Sequence, residues 1–548
     1  MVASQKSQGV VARSQPPTTQ ATSPFDRGDA DLILRTSDLV DFHVHRQILV
    51  IASPYFESML SQSQPPTCRV DEPPQRHVID VSEDSSTMEI ILRLIYPTLD
   101  ADIVELSLLR NVLDAAVKYE SSVVLAAVKR VMVSPRFLQA QPLVIFAIAC
   151  RHRLEDEAKA AAQQLVELES SLQDHSDPVL DELTAGQYYR LLRFKREQPT
   201  PIISYNFCEP LSNFVPSSPP QTSRMGVTSP FSGPRGDLIL TSSDSRMFYV
   251  HRAVVVLASP TMLDGILVPD TTQNAAFPVY PMPEESVCVD LLLRYCYPIP
   301  KPEFPNPTAY RAVLIASRKY RLREVERVAR SYWPAFVESS VLSFYFLAVE
   351  LGWKEEVVAC ARQLVLPRPV KGKKKLASRV PWAAAYSSYT SVMESTISTP
   401  YRNLLSYVDD YGKAAAASTH QLTALPTRHI ASSLIFGDMY DCHTRYPTQF
   451  STDAPPDWLK DHFAKIKRAL ELRPSSDVLA LDTFLASSFI AFVAGDTLRC
   501  AGWPSICTTT TKVQWAVKVL QKYAEAVDQA VLKVELKITQ GNPQAQNL

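Results

Sequence analysis

The residues that could do chemistry in this 548-residue chain come in matched pairs. His45 and His251, Ser53 and Ser259, and the couples Asp31/Arg46 and Asp237/Arg252 each recur 206 positions apart, so one block occurs twice without a gap. A histidine near an acid can transfer protons when it faces a substrate. Here each histidine sits where a short apolar run turns into a helix. An imidazole in that place can bond backbone groups that a helix start leaves orphaned, and that structural role is the one expected. Ser53 and Ser259 each precede a proline, which is the order of a helix cap followed by its first residue. They read as caps, and Phe56, Leu60, Met262 and Ile266 read as core.

No Gly-x-Ser-x-Gly elbow, P-loop, dinucleotide fingerprint, HExxH pair or EF-hand loop occurs. Asp441-Cys442-His443 with Cys500 and Cys507 is the one group with zinc-ligand residue types. Six residues separate Cys500 from Cys507, whereas structural zinc pairs leave about two to four. Unrelated thiols are the expectation, with no metal, no cofactor and no catalytic residue. The run Lys371–Lys375 has the composition of a nuclear-import tag or of a solvated linker, and the linker is expected.

The elements that must position the paired residues repeat with them. Leu32-Ile33-Leu34 and Phe42-His43-Val44 read as a hairpin, His45–Leu60 as a helix pair broken at Ser53-Pro54, and Val78–Val81 as a third strand. Helical periodicity follows through Met88, Ile91, Leu92 and Ile95, then Leu109, Val112, Ala116 and Tyr119, then Val144, Ile148, Ala158, Ala162 and Leu165. The second copy answers with Leu291–Arg294, Tyr297-Pro298, Leu314–Tyr320 and Gln363-Leu364-Val365, the offset falling to 201 and then 199. The division expected is a tail over 1–24, a module over 25–130 with a helical extension over 131–196, and a Pro/Ser/Thr-rich linker over 197–233. A second module over 234–330 follows, with an extension over 331–366, a basic linker over 367–379, a helical region over 380–538 with no repeat partner, and a tail over 539–548. Within that last region Leu459, Phe463, Ile466 and Leu470 mark an amphipathic helix, and Val513 to Val534 form a heptad stripe suited to packing inside the domain.

Composition bounds the function. A net charge of −1 gives no general attraction to nucleic acid or anionic lipid. The 14 glycines leave little material for phosphate-cradling loops, and the 42 prolines gather in the linkers. Nine cysteines without a CxxC pair suit buried thiols in a reducing compartment. The N-terminal segment lacks an apolar signal core, and no apolar run reaches the ~18 residues of a membrane helix. A cytoplasmic or nuclear protein is expected.

The block Asp-Leu-Ile-Leu, Phe-x-Val-His-Arg, Ala-Ser-Pro resembles the start of the BTB/POZ domain. The later Tyr-Pro after a Leu-rich helix and the Lys-Tyr closing another are similar to the version abundant in fungi. The resemblance implies an α+β, predominantly helical chain: two BTB-like modules, each a small sheet clasped by helical hairpins, with helical extensions and a helical C-terminal region. It also implies that Asp31, Arg46, Asp237 and Arg252 lie in a charged pocket near a dimer surface, each couple a partly buried ion pair that either orients an association between modules or bridges within one. The function implied is a non-enzymatic interaction scaffold acting through tandem modules, with itself or other BTB domains as partners. A cullin-type ubiquitin-ligase adaptor is the alternative, although Ser61–Pro66 lacks the hydrophobic-x-Glu element such adaptors carry. A transcriptional regulator without its own DNA-binding domain is the second alternative. No direct nucleic acid, membrane or small-molecule partner is expected.

Overall fold

A computed structural model describes residues 18–62, 77–98, 102–168, 177–198, 205–210, 229–233, 235–263, 277–365, 384–423, 457–472, 474–480, 483–494 and 509–538. The chain divides into two units, residues 1–171 with 198–208, and 172–197 with 209–548. The zinc-type group, the lysine run, Ile266 and the stretch 63–66 lie outside the described residues.

In the first unit the alternation of apolar and polar residues builds a sheet with one inward face. Its strands are β1 (Thr19–Gln20), β2 (Leu32–Arg35), β3 (Val40–Val44) and β4 (His77–Asp80), in the order β1-β3-β2-β4. β2 runs antiparallel to β3, with Ile33 opposite His43, and parallel to β4, with Ile33 beside Val78. Leu32, Leu34, Phe42 and Val44 are buried and the residues between them are not, which is the period of two that sets one face against a core. Leu39 takes a left-handed φ of 63° in the turn, where the Thr36 hydroxyl accepts from the Val40 N–H. β1 pairs in parallel with β3, so the chain belongs to the sheet from residue 19, and the tail expected over 1–24 is shorter. The strand forms because Thr19 and Ala21 donate to the edge carbonyls of Leu39 and Asp41.

Helices close over the inward face: α1 (Arg46–Ala52), α2 (Pro54–Gln62), α3 (Ser85–Ile95), α4 (Leu106–Lys118) and α5 (Ser122–Met132). Asp84 caps α3 by accepting from the Thr87 N–H at 2.8 Å. Met88, Ile91 and Leu92 from α3, with Leu109, Val112, Leu113 and Ala116 from α4, fill the space under the sheet. Each such side chain contributes about 1.5–3 kcal/mol when fully buried. Beyond them lie α6 (Pro135–Leu138), α7 (Pro142–Arg151) and α8 (Glu155–Glu167). The Pro/Ser/Thr-rich linker is anchored at its start, because Glu155 accepts from the backbone of Phe207 and Cys208 at 2.6 and 2.9 Å and Phe207 is buried.

The second unit begins with α9 (Ala185–Glu197), which packs against the C-terminal part of the chain. The helical extension expected over 131–196 is therefore divided between the two units. A three-stranded sheet follows, from β5 (Leu238–Thr241), β6 (Met247–Val250) and β7 (Val279–Pro281) in the order β6-β5-β7. Its helices are α10 (Arg252–Ala258), α11 (Ser286–Cys296), α12 (Pro307–Lys319), α13 (Arg323–Ser331), α14 (Trp333–Val337), α15 (Val341–Leu351) and α16 (Lys354–Val365). After α17 (Ala384–Ser387) the 26-residue α18 (Ser398–Thr423) receives the helices Asp457–Leu472 and Thr509–Leu532. Phe463, Ile466 and Leu470 from the former and Leu520, Val527 and Val531 from the latter are buried, so the heptad stripe is part of a core. Among the described residues no helix is long and apolar enough to cross a membrane.

Candidate interaction surface

The junction of strand and helix carries the repeated residues, which bond within their own copy: Ser53 and Ser259 are buried, whereas Asp31, Asp237, His251 and Arg252 stay exposed. The His45 backbone N–H donates to the Tyr96 hydroxyl at 2.7 Å, and His45 Nδ1 lies 3.4 Å from the same oxygen. The histidine imidazole is thus a minor partner, and the tyrosine is what satisfies the helix start. Asp31 Oδ1 accepts from the Arg46 backbone N–H at 2.8 Å, while the Arg46 guanidinium donates to the Leu60 carbonyl. The contact expected to be an ion pair is therefore a carboxylate capping an orphan N–H. Ser53 is fully buried. It donates to the Tyr119 carbonyl at 2.5 Å and accepts from the Phe56 N–H at 3.2 Å, tying the α1–α2 corner to the end of α4. Phe56 stacks on Tyr119 with ring centres 4.9 Å apart.

The same contacts recur in the second unit. The His251 N–H donates to the Tyr297 hydroxyl at 2.7 Å, and Asp237 accepts from the Arg252 N–H at 2.6 Å. Ser259 donates to the Tyr320 carbonyl at 2.5 Å and accepts from the Met262 N–H at 2.9 Å. One difference stands out. Residues 54–62 are helical, whereas 260–263 form a turn before the described residues break off.

A second cluster was not singled out in the sequence. Glu83 receives Lys118 at 2.8 Å and the Tyr119 hydroxyl, and Glu284 receives Lys319 at 2.8 Å and the Tyr320 hydroxyl at 2.6 Å. Burial alone would raise the Glu83 carboxyl, but the hydrogen bonds from Lys118 and Tyr119 outweigh it and hold it below the usual range. Burial and the adjacent glutamate raise the Tyr119 and Tyr320 hydroxyls. The only signal in the sequence was the recurrence of Lys-Tyr. Its acid lies 35 residues upstream in both copies and is joined to it by folding alone.

Beside these exposed polar groups each junction also leaves an apolar side chain outside. Ile51 is 79% exposed at the end of α1, and Leu257, its counterpart 206 positions on, is 87% exposed on α10 beside a half-exposed Val256. Scattered exposed apolar residues are ordinary. The same outward position occupied by a large aliphatic in both copies is less so. Among the described residues of the second unit, burial pushes Cys288 and Cys360 up to about 12 and Cys296 up to about 11, so these three thiols stay protonated at neutral pH. Among the described residues no group of three His, Cys, Asp or Glu side chains is placed to hold a metal ion.

Residues 25–135 match the family model of the BTB/POZ domain. The first copy thus contains a BTB/POZ domain, a module that mediates protein–protein interaction and is not catalytic. None of the curated proteins matches the chain.

Proposed function

We propose that the chain is a non-enzymatic interaction scaffold with two BTB-like units, one over 25–130 and the other over 234–330, acting in the cytoplasm or nucleus. The observation that carries this reading is the pair Ile51 and Leu257. The repeated aspartates and serines bond within their own copy, and each copy presents one large aliphatic side chain at the same outward position. The equivalent bonds of His45 and His251, Asp31 and Asp237, and Ser53 and Ser259 support a second unit of the same kind. Association through other BTB domains or a second copy suits such a face better than cullin binding. The sequence from the end of α2 onward is polar, Ser61-Gln62-Ser63-Gln64, and lacks the apolar anchor an adaptor would use.

Covering Ile51 in an interface is worth about 1.5–3 kcal/mol, so a glutamate there weakens association about ten- to a hundredfold. The test is Ile51→Glu and Leu257→Glu, singly and together, read by light scattering and by proximity-labelled neighbours. Loss of association or of neighbours with unchanged urea unfolding is expected. An identical mass and neighbour set in the double variant would refute the proposal.

A further inference from the structure

The region after the second copy's helices contains a third stretch of the repeat. Residues 177–197 and 390–410 align at an offset of 213, with Asp181 matching Glu394, Tyr188 matching Tyr401, and Leu191-Leu192 matching Leu404-Leu405. The offset had been 199 at the preceding helices, so the second copy carries about 14 extra residues before this point, in the segment that holds the lysine run. Both stretches fold alike: a 3-10 turn (Pro178–Glu182 and Ser391–Glu394), one bridging residue, then a helix, α9 or the first half of α18.

These two stretches are bound to each other, and the contacts are reciprocal. Thr184 and Ile397, which are equivalent, form an antiparallel bridge. The Ala185 N–H donates to the Thr396 carbonyl at 2.8 Å, and the Ser398 N–H donates to the Leu183 carbonyl at 2.9 Å. Under the 213 offset each of these bonds maps onto the other. The equivalent tyrosines 188 and 401 meet edge to face, with ring centres 6.3 Å apart. The equivalent acids each take an arginine of the opposite stretch, but the arginines are not themselves equivalent, since Arg190 matches Asn403 and Arg402 matches Tyr189. Glu394 takes the fully buried Arg190 of α9 at 2.5 and 3.1 Å, and Asp181 takes Arg402 of α18 at 2.5 Å. The position under each acid is adapted to it: Thr399 donates to Asp181, and at the matching place Gly186 leaves room for the Glu394 carboxylate.

Residue i touching j while the equivalent of j touches the equivalent of i is the mark of a two-fold, self-complementary interface. A chance contact between unlike surfaces has no reason to map onto itself. We infer that this stretch is a self-pairing surface whose partner is a second copy of itself, and that the duplicated chain supplies both copies. The molecule is thereby a covalent pseudo-dimer closed in cis through 177–197 and 390–410, and this surface is already filled in a single chain. The inference stands apart from the face bearing Ile51 and Leu257, which lies on other elements.

A protease site placed within 211–228 of the full chain separates the two copies covalently after folding. The cut protein is expected to remain together at the 61.2 kDa of the intact chain on size exclusion with light scattering. Arg190→Glu sets two acids against each other and is expected to release the fragments after cutting, and adding Glu394→Arg is expected to restore co-elution. Separation of the cut wild-type fragments would overturn the inference. So would co-elution of the cut Arg190→Glu protein. Failure of the double variant to recover co-elution while its far-UV circular dichroism matches wild type would overturn it as well, because a merely misfolded single variant would not be rescued by the reversed pair.

Discussion

Replacing Ser53 by alanine tests whether the α1–α2 corner is held by the hydroxyl. Alanine keeps the Cβ, so packing around a fully buried side chain is nearly unchanged. What is lost is the cap on the Phe56 N–H and the donor to the Tyr119 carbonyl. A lost serine cap costs about 1 kcal/mol, and a buried carbonyl left without its donor about 1–3 kcal/mol. The total is about 2–4 kcal/mol, or a fall in melting temperature of about 4–16 °C for a unit of this size. The choice of probe matters. All six tryptophans lie at positions 333–515, so tryptophan fluorescence does not report on residues 1–171. Amide hydrogen exchange on peptides spanning 46–62 and 106–119 does. Increased exchange in both is expected, because the bond joins the two helices. A change below about 0.5 kcal/mol in those peptides would refute the reasoning. Ser259→Ala is the matched experiment, and there tryptophan fluorescence serves. Its carbonyl loss is the same, but its cap loss is smaller, since 260–263 form a turn and not a helix.

Tyr96→Phe removes the oxygen that accepts from the His45 N–H, and is expected to cost about 1–3 kcal/mol in exchange measurements on 40–52. His45→Ala loses a 3.4 Å contact to Tyr96, a 3.9 Å approach to Asp29 and the tilted contact of a part-exposed ring with the Tyr96 ring, and costs less than Tyr96→Phe. If the order were reversed, the histidine would be the true partner. Asp38 and Glu83 both have carboxyls held below the usual range, in each case against the opposing effect of burial, by hydrogen bonds from Ser85 and Thr36 and from Lys118 and Tyr119. A lowered carboxyl contributes stability that is complete above its unfolded value near 4 and is lost as pH falls through its folded value. The first unit should therefore show smaller protection factors, corrected for the pH dependence of intrinsic exchange, at pH 3 than at pH 6, and Glu83→Gln should flatten that slope. Gly186→Ala puts a methyl into the Glu394 carboxylate and loosens the buried Arg190 pair, for a loss of up to about 3–5 kcal/mol in urea unfolding followed by tryptophan fluorescence.

Much of the local structure was legible in the residues. The β2–β3 hairpin follows from the period of two in Leu32–Leu34 and Phe42–Val44, and the corner at Ser53-Pro54 from cap chemistry; both are decided by neighbours within a few positions. The site was less so. Asp31 faces Arg46 across 15 residues in either reading, but the sequence cannot say whether the side chain or the backbone N–H is taken. Tyr96 and Glu83 gave no sign of their partners, 51 and 35 residues away.

The sequence by itself determined that one block of residues recurs, that Ser53 and Ser259 stand before a proline as caps do and which stripes are apolar, since these depend on spacing along the chain and on intrinsic backbone preferences. Only the tertiary structure decided that Thr19–Gln20 joins the sheet, that Asp31 caps a backbone group, and that 177–197 pairs with 390–410. Each of those rests on a partner chosen by proximity after folding. For the last the insertion before residue 390 moved the offset from 199 to 213, so the repeat was hidden until two buried arginines and two bridging backbones brought its halves together.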